Sequence, residues 1–417
     1  MVDLGQLAPH ERVLVRLVQR EGVRAPLEED RAVVEDPGAR AHLVRLAKQQ
    51  GVHGLAVSAL VGSPLMAALS ADVAREIMAA WSHLRRQAAV WDMERDRLLS
   101  RLDAAGLTPL ILKGAALRET VYGEPAERSM GDLDLLLPPG QFEPAKAVLE
   151  GLGYRSTGTD EAVEAYRLHH FHLPLAHPNG FVAEIHWALS RPGVGFRLDE
   201  QAFLARALTR PRAGGGALRV PSAEDMILHL ASQNQEDAFG RWRRLVDLDR
   251  VVASAGDLDW AYLREASQRG DTQALVALSL RLSQLLLGTR LPTGFVESLA
   301  LSRLCRLNLA MLRPVEWVIS EPARRRDVGA DALLFWTTVG WRERLRLCLV
   351  KAWPQADPLA WMWRGEGEDR RQAGRIRPLV KLTVYQIWIW SRGLLAILTR
   401  SGRRRWWFWG RQSVCSR

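Results

Sequence analysis

Two aspartates two positions apart, Asp132 and Asp134, stand inside the apolar run "RSMGDLDLLLPP" at residues 128–139. A carboxylate taken out of water without a partner costs several kcal/mol, so a pair on one side of a strand requires a cation to meet it. Residues i and i+2 of a strand share a face about 6–7 Å apart, which sends Asp132 and Asp134 one way and Leu133 and Leu135 the other. That spacing suits Mg²⁺, with Mn²⁺ as the alternative: such ions take carboxylates, waters and substrate phosphates. A pair of them about 3.5–4 Å apart clamps the entering and leaving oxygens of a phosphoryl transfer. A third acid is normally wanted, and "FVAEIHW" offers Glu184 with Val182 and His186 on the same face.

The elements that must carry these residues follow from periodicity. Residues 10–105 place apolar side chains at helical spacing, broken near 36–38 and 62–64. "LTPLILKG" then changes to a short apolar run, Leu107 to Leu112, which reads as a buried strand closed by glycine. A two-turn helix, the strand "DLDLLL" and the helix "FEPAKAVLEGLGY" follow. Asn179-Gly180 between two β-like runs signals a hairpin. With a two-residue turn, Leu173 lies opposite His186 and Leu175 opposite Glu184, so His170 and His172 face away from the acids. That placement, and the lack of a nearby cysteine, disfavours zinc at "LHHFHLPLAHPNG". "RAGGGALRVP" reads as a linker, and helices resume at Ser222. The expected organisation is a helical region over 1–105, an α/β core over 106–213, a helical domain over 217–350 and a basic tail over 364–417.

The ordered set "LILKGAALRETVYGEPAERSMGDLDLLL", "GLGY" and "VAEIHWAL" resembles the nucleotidyltransferase superfamily of the DNA polymerase beta type, within it the bacterial branch of uncharacterised nucleotidyltransferases. The resemblance spans about residues 105–250. It implies an α+β fold, a small mixed sheet flanked by helices, with Asp132, Asp134 and Glu184 as metal ligands. It also implies attack of an acceptor hydroxyl on the α-phosphorus of a nucleoside triphosphate, with Glu184 holding a metal or accepting the proton. Many members of the superfamily carry Gly-Ser or Gly-Gly after the first strand, where this chain has Lys113-Gly114-Ala115.

The triphosphate contacts expected instead are Gly114, where backbone can approach a phosphate at a helix start, the Lys113 ammonium and the Arg128 fork. A solvated strand end for Lys113 and a structural ion pair for Arg128 are the competing readings. His186 is either a substrate contact or a satisfied structural histidine. His229 and Asp247 either close the site from the later helices or serve as core and cap residues.

The formal net charge of +10 sits wholly in the tail: residues 364–417 hold 13 Lys+Arg against 3 Asp+Glu, leaving 44 of each sign before them. A neutral body disfavours long nucleic acid as a partner and leaves a small molecule or peptide as acceptor. The tail carries 8 of the 16 tryptophans over residues 353–409. Lys381 and Arg392 interrupt its apolar stretch, so an amphipathic helix on an anionic membrane surface is expected, with packing on the body and stacking on nucleic-acid bases as the rivals. Cys305, Cys348 and Cys415 form no framework, and the first residues lack a secretion signal, which points to the cytoplasm, with a peripheral position on the inner membrane face. A catalytically degenerate protein that keeps the fold stands as the alternative to an active transferase.

Overall fold

Helices come first, as the apolar spacing dictates: α1 Pro9–Val18, α2 Glu28–Glu35, α3 Pro37–Gln49, α4 His53–Val61, α5 Leu65–Ala68 and α6 Ala71–Ala104. Proline opens α1 and α3, where its missing N–H is one of the unpaired donors of a first turn, and the Asp36 side chain accepts from Ala39 N at 2.6 Å to cap α3. Long α6 buries one stripe that includes Val73, Ile77, Trp81, Leu98 and Leu102. The computed structural model describes residues 7–20, 27–156, 170–191, 195–212, 215–236, 239–301 and 306. The tail over 364–417 and the helices expected between 307 and 350 lie outside the described residues.

The α/β part then runs β1 Leu110–Ile111, α7 Lys113–Thr120, β2 Leu133–Leu136, α8 Phe142–Gly151, β3 Arg155–Ser156, β4 His172–Ala176, β5 Val182–His186, α9 Glu200–Ala205, β6 Leu208–Pro211 and β7 Ala217–Val220. Four α-helices follow, α10 Ala223–Glu236, α11 Trp242–Ser254, α12 Trp260–Arg269 and α13 Gln273–Leu287, and then a short 3-10 turn at Glu297–Leu299. The seven strands form one mixed sheet, ordered β3-β4-β5-β2-β1-β7-β6, with β2/β5 and β1/β7 parallel. The fold is α+β, as expected. Among the described residues no helix is long and apolar enough to cross a membrane.

Alternation divides the sheet chemically. Leu133, Leu135, Ala183 and Ile185 are fully buried on one face, against which α8 packs with Phe142 edge-on to Trp187 at 5.3 Å between ring centres. Each leucine and isoleucine among them contributes about 1.5–3 kcal/mol by leaving water. The opposite face carries Asp134, Glu184 and His186.

Three local expectations change. The strand expected over Leu107 to Leu112 pairs only at Leu110 and Ile111, because Leu112 is already the cap of α7 and Lys113 turns into the left-handed region at φ +46°. The hairpin closes by three residues rather than two: His177 N donates to Phe181 O at 2.8 Å and Gly180 N to His177 O at 2.9 Å, with Gly180 alone left-handed at φ +86°. A two-residue type I′ turn needs both central residues there, so the chain adopts a type I turn with a glycine bulge. The register therefore slips by one, and His172 pairs with His186 and Pro174 with Glu184. Finally, the stretch expected as a linker contains strand β7, paired antiparallel with β6, with Gly215 and Gly216 before it both at positive φ. Strand β7 pairs with β1, so the expected boundaries at 213 and 217 cut through the sheet.

Candidate metal and phosphate centre

Parallel pairing of β2 and β5 sets Asp134 directly beside Glu184, and Asp132 stands one step before β2. Carboxylate oxygens of Asp132, Asp134 and Glu184 lie within 4.8 Å of one another. Lys113, the first residue of α7, completes the group: its Nζ is 2.5 Å from Asp134 Oδ1 and 3.6 Å from Glu184 Oε2. A non-glycine residue at φ +46° is strained, and the turn it makes aims the ammonium into the acids. His186, fully buried, brings Nε2 to 2.9 Å from Asp134 Oδ1 and 3.4 Å from Glu184 Oε2.

The electrostatics divide the two aspartates. Burial alone would raise Asp134, but Lys113 and the His186 hydrogen bond outweigh it and hold this carboxyl well below its ordinary range. Asp132 is pushed up to about 6 by burial and by the charges of Asp134 and Glu184, which Lys113 and Arg243 offset only in part. Burial opposes the charge on Lys113, yet Asp134 and Glu184 raise its pKa. His186 is likewise raised against the pull of burial by its bonds to Asp134 and Glu184. His172 falls to about 3 through burial and the neighbouring His186 and Lys113.

Oxygen donors this close, already drawing an ammonium into their midst, suit a hard divalent cation. The donor set therefore fits the ion that such a constellation uses. Glu184 and His172 also meet, Nε2 to Oε1 at 3.7 Å, and this second contact is a product of the one-residue register.

The other residues singled out take different places. Gly114 sits at the start of α7, where unpaired N–H groups favour anions. A Cβ there would meet Met130 Cγ at 3.1 Å and Arg128 Nη1 at 3.4 Å, so the glycine also admits the loop before β2. Arg128 is buried and donates from Nε to Asp247 at 2.8 and 3.1 Å, and from Nη1 to the Ser129 carbonyl at 2.7 Å. Its fork is thus engaged with a carboxylate rather than standing open. Asp247 also accepts from Tyr122 OH at 2.6 Å, which makes it the tie between this loop and α11. His229 on α10 is buried, with neither ring nitrogen bonded among the described residues. Burial, then Lys113 and His186, lower it to about 3. The ring of His170 lies 6.5 Å from that of His172.

One cation was not legible from the motifs. Arg243, at the start of α11, is pushed down to about 10 by burial and by Arg128, and its charge reaches Asp132. Only its position four residues before Asp247, on the same helical face, could have pointed to it.

Comparison with known proteins gives one broad match. A family model described as uncharacterised nucleotidyltransferase matches residues 38–288. No curated protein matches the chain. Among solved structures, an antigenic nucleotidyltransferase-like protein from Paracoccidioides brasiliensis aligns at 16% identity and a TM-score of 0.28, over 51% of this chain and 95% of that one.

Proposed function

From the premise that the chain belongs to the uncharacterised nucleotidyltransferase family, we propose that it moves a nucleoside monophosphate from a nucleoside triphosphate to an acceptor hydroxyl, releasing pyrophosphate. The observation that carries this reading is the convergence of Asp132, Asp134 and Glu184 from two parallel-paired segments. These three side chains hold the divalent ion, Mg²⁺ or Mn²⁺. When bound, that ion lowers the acceptor's pKa and neutralises triphosphate charge.

The chain's own groups do the rest. Lys113 and the opening N–H groups of α7 receive phosphate oxygens, a point charge beside a helix N-terminus. Glu184, half-buried at the edge of the acids, supplies the third oxygen to the ion. A cavity of about 410 Å³ lies between α6 and the loop before β2, lined in part by Trp91, Arg118, Ser129, Met130 and Phe181 and by none of the three acids. Its size supports a small-molecule or peptide acceptor rather than a long polymer. The basic, Trp-rich tail would hold the enzyme at an anionic membrane surface.

A second reading is favoured by one contact. Lys113 Nζ lies among the very carboxylates that would hold an ion, which suits a nucleotide-binding protein without turnover. Isothermal titration of the full chain with non-hydrolysable nucleoside triphosphates, with and without Mg²⁺, tests the site. Metal-dependent binding that drops at least about 100-fold in Asp132→Asn/Asp134→Asn is the expected result, the loss of two ligands to a hard cation. Absence of binding by the unaltered protein would overturn both readings, and turnover with a screened acceptor separates them.

A further inference from the structure

We propose that His172, Glu184 and His186 form a second metal site, for a borderline transition cation of the Zn²⁺ class, beside the three-carboxylate group and sharing Glu184 with it. The inference does not depend on nucleotide binding. It begins with the register of the β4–β5 hairpin. Because His172 pairs with His186, and Glu184 precedes His186 by two residues on the same face, three ligating side chains share one patch of sheet. A hairpin closed by two residues would have turned His172 to the other face.

The distances suit a common ion. The Glu184 carboxylate offers one oxygen to each imidazole, Oε1 to His172 Nε2 at 3.7 Å and Oε2 to His186 Nε2 at 3.4 Å. One ligand atom from each of the three residues falls within 4.8 Å of the others. Ligands about 2.0–2.1 Å from a tetrahedral Zn²⁺ lie about 3.3 Å apart, so modest shifts bring the three together once His186 Nε2 exchanges its 2.9 Å hydrogen bond to Asp134 Oδ1 for the ion. The two imidazole rings stand 4.9 Å apart, tilted by 38°. Phe171 walls the patch, 4.5 Å from the His172 ring and 5.5 Å from that of His186. Nδ1 of His186 meets no polar partner among the described residues, so the ring's polar contacts are all made through Nε2, on the carboxylate side.

Donor chemistry then separates the two groups. Three carboxylates suit Mg²⁺, which strips its water reluctantly and prefers oxygen. Two imidazoles with one carboxylate suit Zn²⁺ and its neighbours, and such a set leaves a position open. Lys113 stays on Asp134, its closest partner, and is not needed at the second site.

The test is titration of the chelator-treated full chain with Zn²⁺ and with Co²⁺, for the unaltered protein, His172→Ala and Asp132→Asn. The expected result is one tightly bound equivalent that survives Asp132→Asn and weakens at least about tenfold in His172→Ala, as loss of a ligand requires. In the unaltered protein loaded with Co²⁺, two exchangeable imidazole N–H signals shifted by the paramagnetic ion are expected, a readout that needs no variant to fold. Equal Zn²⁺ affinity in the unaltered protein and His172→Ala, or a Co²⁺ protein without shifted imidazole signals, would overturn the proposal.

Discussion

Asp132 and Asp134 are two residues apart and chemically opposite. Asp134 is matched by Lys113 and His186 inside the fold, and its ionised form contributes stability that is lost only as pH falls far below neutrality. Among the described residues Asp132 has no hydrogen-bonded cation of this kind, and burial with its acidic neighbours outweighs Lys113 and Arg243 and raises it from 3.8 to about 6. A raised carboxyl stabilises the fold fully below about pH 4, and that contribution is lost as pH rises through about 6. Two units correspond to about 3 kcal/mol, which the metal-free protein forgoes at pH 8. Asp132→Asn should therefore be more stable than the unaltered protein by ~1–3 kcal/mol in chelator at pH 8 and by little at pH 4. Urea unfolding at both values checks this. Equal stability at pH 8 would mean that the carboxyl is solvated, and Mg²⁺ should close the gap by stabilising only the unaltered protein.

At the scale of elements, the loop before β2 is what places Asp132. Arg118 donates to the Arg128 carbonyl at 2.6 Å and to Asp92 at 3.1 Å, tying the loop to α6 and α7. Asp247 ties its other side to α11 through Arg128 and Tyr122. Removing one partner of a buried pair leaves the other charge uncompensated, which costs more than the pair contributes. Asp247→Ala should lower stability by about 3–5 kcal/mol, and Asp247→Asn by less, since it keeps an acceptor for Arg128. Denaturant midpoints at unchanged slope would report this; a loss under about 1 kcal/mol would show that Arg128 finds water instead.

Legibility in the sequence follows the range of the interaction. The i, i+2 spacing of Asp132 and Asp134 and the lone acid Glu184 are local patterns, and they mark the acids that meet in space. The Arg128–Asp247 pair joins residues 119 apart, so Arg128 reads equally as a phosphate fork or a structural cation. His172 fails for a smaller reason: one left-handed glycine decides between two hairpin loops, and that choice flips every side chain of β4. Strand β7 reads as linker because its glycine-rich approach has a linker's composition, while its partner β1 lies more than a hundred residues earlier.

On the scale of the whole molecule, charge is segregated. The residues before 364 are balanced and the tail carries the +10, so any pull toward a polyanionic surface belongs to the tail. Arg403, Arg404 and Arg405 next to Trp406, Trp407 and Trp409 combine cations for lipid phosphates with rings suited to the interface. Each basic side chain near an anionic leaflet contributes about 1 kcal/mol, so replacing the three arginines by glutamine should weaken binding to phosphatidylserine vesicles by about 100-fold. Cosedimentation measures this, and the attraction should fade with salt as the Debye length shrinks below about 10 Å. Mg²⁺-dependent nucleotide binding should stay unchanged in the same variant, because the arginines belong to a separately charged segment. Binding to zwitterionic vesicles as strong as to anionic ones would take the anionic headgroups away as the determinant, and no binding to either, or competition by an oligonucleotide at equal charge, would take the membrane away as the partner and return the Arg/Trp mixture to packing or to base stacking.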